Sequence, residues 1–105
     1  MQKYRIKQVG REFYPQERIF LFFWSNIKLD SKQSRDWYLS TFNRTSDYYQ
    51  ESFHESAKDA WGTIHWYTPF FTTLEAAKDF IKCYELYLKK IEEDKNPPVT
   101  IHNLD

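Results

Sequence analysis

The chain has 105 residues, enough for one domain and too few for a second core of useful size. Nine Phe, eight Tyr and four Trp carry much of its apolar area, while 15 basic side chains balance 15 acidic ones. That balance removes the bulk electrostatic case for nucleic acid or an anionic membrane as partner, and leaves only a local basic face to argue from.

At the N-terminus, Lys3 to Val9 is rich in strand formers, and Gly10-Arg11 is a turn into a second strand that starts near Phe13. Pro15 lacks an N–H, so the early part of that strand is expected to be an edge or a bulge. Pairing resumes through Arg18-Ile-Phe-Leu-Phe-Phe-Trp-Ser25. The apolar run within it, Ile19 to Trp24, is far shorter than the about 20 residues that a membrane-crossing helix needs. Read as one strand, it turns Ile19, Leu21 and Phe23 to the face that suits a helix, and Phe20, Phe22 and Trp24 to the other.

Residues 30–60 form an aromatic-rich insert of irregular pattern, with Trp37, Tyr38, Phe42, Tyr48, Tyr49 and Phe53 set among polar residues. A disordered linker has few aromatic residues, so part of this segment is expected to pack, with Asp36 to Phe42 as a short strand or a helical turn. A third strand is expected over Trp61 to Thr68, closed by Pro69. Its alternation places Ile64 and Trp66 on one face, and Trp61, Thr63, His65 and Tyr67 on the other.

After Pro69 the period becomes helical. Thr72 and Glu75 fit a capping box, and Leu74, Ala77, Ile81, Tyr84, Leu88 and Ile91 recur at steps of three and four, with Phe80 and Tyr87 widening the stripe. Asn96-Pro97-Pro98 stops the helix, and residues 95–105 form a tail in which Val99 to His102 alternates like a short strand. The expected architecture is a single α+β domain spanning residues 1–105: an antiparallel sheet of three to four strands packed on one long C-terminal helix.

The start "KYRIKQVGREFYPQ" and the close "FTTLEAAKDFIKCYE" resemble short α+β proteins of bacterial phages and mobile elements. In those an N-terminal hairpin leads through tryptophan-rich strands to an F-x-T-x-E-E-A helix. The resemblance covers the first 25 residues and Thr63 to Tyr87, and the insert departs from it. It implies a small α+β domain and supplies no active-site residues.

The candidate binding face is the side of the sheet turned away from the helix: Phe20, Phe22, Trp24, Trp61 and Tyr67, bordered by Lys3, Arg5 and Lys7. If the insert folds over it, these residues are core. If it is open, it binds a partner. The partner expected is another protein or a second copy in a homodimer. The alternative is single-stranded nucleic acid, whose bases stack on rings while cations meet its phosphates. No catalytic residue, cofactor, metal site or membrane partner is expected. His54, His65, His102 and Cys83 have no metal-binding spacing, and no nucleophile elbow frames a serine. A lone cysteine and an N-terminus without the apolar core of a secretory signal lead to the expectation of a cytoplasmic protein.

Overall fold

The computed structural model of the chain describes residues 2–42, 49–60, 62–97 and 99–104. Strands β1 (Tyr4–Val9) and β2 (Glu12–Phe20) form an antiparallel hairpin whose mouth pairs Val9 with Glu12. Gly10 gives the turn between them its positive φ of 62°, a conformation that costs a residue without a Cβ little. The chain then reverses at Leu21-Phe22 into β3 (Phe23–Asn26), which pairs with β2, and continues as β4 (Leu29–Asp30) beside β6 (Gly62–Phe71). β5 (Tyr49–Asp59) pairs with β6 from Tyr49 opposite Phe71 to Asp59 opposite Gly62. Among the described residues this is one six-stranded antiparallel sheet, larger than the three to four strands expected.

The extra strands come from two places. The described part of the insert is regular: it contributes α1 (Ser34–Phe42) and β5, while residues 43–48, Tyr48 among them, lie outside the described residues. α1 starts where the Asp30 carboxylate accepts from the backbone N–H groups of Gln33 at 2.6 Å and Ser34 at 3.1 Å, which satisfies donors that the first turn leaves open. The apolar run Ile19 to Trp24 is also not one strand. It closes the β2–β3 hairpin, with Phe20 opposite Phe23 and a register shift between Arg18 and Phe20. Among the described residues only glycines have positive φ, so Leu21 and Phe22 make this reversal with ordinary backbone angles and no glycine signal.

Pro15 and Pro69 both lie inside strands, Pro15 within β2 as expected and Pro69 within β6, past the point where that strand was expected to close. Pro15 faces Ile6 of β1, and its carbonyl accepts from the Ile27 N–H at 3.0 Å. Along its other edge β2 meets β6 at Phe13 and β3 from Gln16 onward, so the missing N–H falls where β2 changes partner. Pro69 is buried in β6, which runs on to Phe71. The tail residues Val99 to Leu104 form no strand.

Both helices pack on one side of the sheet. Phe80 of α2 (Leu74–Lys95) meets Tyr38 of α1 with ring centroids 5.2 Å apart and Phe71 of β6 at 5.4 Å. With Ile27, Leu29, Ala76 and Ala77 they form the core, and Tyr4, Ile6 and Phe13 pack against it from the first hairpin. α2 is capped by Thr73, whose hydroxyl accepts from the Ala76 N–H at 3.1 Å, one residue later than the Thr72–Glu75 box expected. Its buried residues are Ala76, Ala77, Phe80 and Tyr87, with Tyr84 partly buried beside them, and Leu74 and Leu88, expected in the stripe, stand at its exposed flank.

Candidate docking surface

Among the described residues no helix covers the opposite side of the sheet, and β1, β2 and β3 build one part of that side. Residues facing one another across antiparallel strands share a side, so Arg5, Gln16 and Asn26 form a row across β1, β2 and β3. The Arg5 Nε donates to Gln16 Oε1 at 2.7 Å, and Gln16 Nε2 donates to Asn26 Oδ1 at 2.8 Å, which satisfies the buried Gln16 amide at both ends. The held Arg5 guanidinium lies 4.5 Å from the Trp24 ring centroid, and that of Arg18 lies 5.1 Å from it. Lys7 follows Arg5 along β1 on the same side, and Lys3 precedes it.

Tyr67, expected on this face, is on the other. It stands opposite Leu29 of the core, and the Arg35 guanidinium of α1 lies 4.8 Å from its ring centroid. The parity of β6 is set by Phe71, which enters the core with Phe80; Trp66 and Ile64, expected toward the helix, therefore take the uncovered side. Trp61 lies outside the described residues. α1 packs on α2, so the part of the insert it forms shields the helix side and not the candidate face.

Phe20 and Phe22 belong to a different feature. From Ile19 to Phe23, five consecutive large apolar side chains are between 54% and 85% exposed, Phe22 the most. β1 pairs with β2 only as far as Glu17, and Lys3 receives one further bond from Arg18, so this hairpin end runs past its neighbour. A two-residue reversal favours Asn, Asp or Gly; Leu-Phe has no such local rationale. Contiguous apolar exposure of this kind marks a contact surface. An apolar run with no turn residue reads as a strand, which is why the sequence alone does not reveal this end.

On the helix side, Arg35 Nε donates to both Glu51 oxygens at 2.8 and 3.0 Å, and the Tyr49 hydroxyl donates to the same carboxylate at 2.5 Å. Burial, followed by this hydrogen bond, raises the Tyr49 pKa well above the ordinary tyrosine value. Tyr84 is raised likewise, by burial first and then by Glu17, whose carboxylate accepts from its hydroxyl at 3.3 Å. These contacts tie helices to sheet. Ser56 Oγ and His65 Nδ1 form a 2.8 Å cross-strand pair on the exposed part of β5 and β6. Among the described residues no group of His, Cys, Asp and Glu is placed to hold a metal ion, and no helix is long and apolar enough to cross a membrane. No family model, curated protein or solved structure matches the chain.

Proposed function

We propose that the protein is a small cytoplasmic interaction module, not an enzyme, that seats the apolar end of its β2–β3 hairpin in a concave cleft of a partner protein. The observation that carries this reading is the exposure of Ile19, Phe20, Leu21, Phe22 and Phe23 together at one hairpin end. Fully burying one such side chain is worth roughly 1.5–3 kcal/mol, so a cleft that accepts several offsets a substantial part of the cost of association. A convex end matches a hollow better than a second convex end, which favours a different protein over a homodimer. An origin in a phage or mobile element, implied by the resemblance of the two ends of the chain, belongs to the same proposal. The test is co-purification from the cell that makes the protein, comparing the wild type with a Leu21→Ser/Phe22→Ser variant. A partner held by the first and lost by the second is expected; the same partners on both contradict the proposal.

Single-stranded nucleic acid is the second reading, favoured by Arg5, Arg18 and Trp24 meeting on an uncovered face beside Lys3 and Lys7. It ranks second because two guanidinium groups already lie against the ring on which a base would stack. Tryptophan quenching by a short oligonucleotide, weakening steeply with salt, would promote it.

A further inference from the structure

A second surface, independent of the hairpin end, lies along the outer edge of β1. Among the described residues no strand pairs with that edge. It borders a groove of about 560 Å³ between β1 and α2, lined on the helix by Lys78, Ile81, Lys82 and Glu85.

The pairing with β2 decides which backbone groups face the groove. Arg18 N–H donates to the Lys3 carbonyl at 3.0 Å, so Lys3, and by alternation Arg5 and Lys7, direct their backbone polar groups toward β2. Tyr4, Ile6 and Gln8 direct theirs outward. Side chains alternate with the same period: Tyr4 and Ile6 turn to the helix side and pack on the core, and Arg5 and Lys7 turn to the uncovered face.

We propose that this edge binds an extended segment of a partner protein as an added strand, one in which acidic and apolar residues alternate. Backbone bonds to Tyr4, Ile6 and Gln8 give the strand its register. On the uncovered face its acidic side chains stand beside Lys3, Arg5 and Lys7; on the other its apolar side chains lie against Tyr4, Ile6 and Ile81. Of the lining cations, Lys3 and Arg5 stand on the acidic side of the added strand; Lys78 and Lys82 border its apolar side from α2 with Glu85, and Lys78 also reaches Glu75 at 3.6 Å. A second copy offering its own β1 would set Lys and Arg opposite Lys and Arg, which repels.

The experiment is a titration of the isotope-labelled full chain, followed by NMR, with a peptide of about seven residues alternating Glu and Val. The expected result is a shift and slowed hydrogen exchange at the Tyr4, Ile6 and Gln8 amides. A peptide of the same composition with its glutamates and valines segregated should bind at least about tenfold more weakly, and Lys3→Glu with Lys7→Glu should weaken the alternating peptide by about tenfold. Equal affinity for the two peptides, or shifts without slowed exchange at those amides, overturns the proposal. So does displacement of the peptide by an equal concentration of single-stranded oligonucleotide. The Leu21→Ser/Phe22→Ser variant should bind the peptide as the wild type does, so failure at this edge leaves the hairpin reading standing.

Discussion

Arg18 and Trp24 face each other across β2 and β3, the guanidinium carbon 5.1 Å from the centre of the indole ring. Theirs is the last pair before the closing pair Phe20–Phe23, and Arg5 reaches the same ring from β1. The three side chains bind the first three strands into a unit, and the apolar hairpin end extends beyond it.

Trp24→Ala should therefore destabilise the fold. Trp24 is partly buried and loses two cation contacts, worth about 0.5–2 kcal/mol each, so a total of roughly 1–4 kcal/mol in urea unfolding is expected.

Along α2 the cost of truncation should follow burial. Phe80 is 1% exposed and touches Tyr38, Phe71 and Tyr84, so Phe80→Ala should cost about 3–5 kcal/mol. Leu88 is 40% exposed, and Leu88→Ala should cost less than about 1 kcal/mol. Denaturation midpoints of the two variants compare these values directly.

This contrast shows how much of the helix was legible. Steps of three and four identify it and place its end at Asn96, but a stripe that includes Leu74, Ala77, Phe80, Ile81, Tyr84, Tyr87 and Leu88 is wide, and only the sheet beneath decides which part is buried. The first hairpin was legible for a local reason, a glycine turn between two strand-forming runs. Facing in β6 was not: Ile64 to Phe71 is apolar or aromatic at both parities apart from His65 and Thr68, and contact of Phe71 with Phe80 selects one. α1 escaped because its start signal, Asp30 bonded to the Gln33 and Ser34 amides, lies in a segment without a sustained apolar period. Of the candidate face, Arg5 and Trp24 come together as their alternation implies, and Tyr67 goes to the helix side.

Glu51→Gln should cost roughly 1–3 kcal/mol, because the partly buried Arg35 guanidinium loses its nearer counter-charge and keeps only the exposed Asp36 at 3.6 Å, while the Tyr49 hydroxyl keeps only a neutral acceptor. Tyr49→Phe, which removes the donor and leaves the ion pair, should cost less. A double-mutant cycle on the two positions would measure their coupling.

Stability should fall in alkali. Tyr49 and Tyr84 have folded-state pKa values raised above the ordinary tyrosine value of about 10, so the folded state favours their neutral forms. Their contribution is complete below about pH 10 and is lost as pH rises above it, since the unfolded chain releases those protons more readily. Thermal melts between about pH 8 and 11 should show the midpoint falling above 10, with a smaller fall in Tyr84→Phe.

Whether Ile19 to Phe23 is a contact surface or part of the core is read most directly from the unfolding free energy of Leu21→Ser/Phe22→Ser. With these side chains 54% and 85% exposed, the variant should match the wild type to within about 0.5 kcal/mol. A loss of several kcal/mol would mean that the hairpin end packs inside the fold and is not a contact surface.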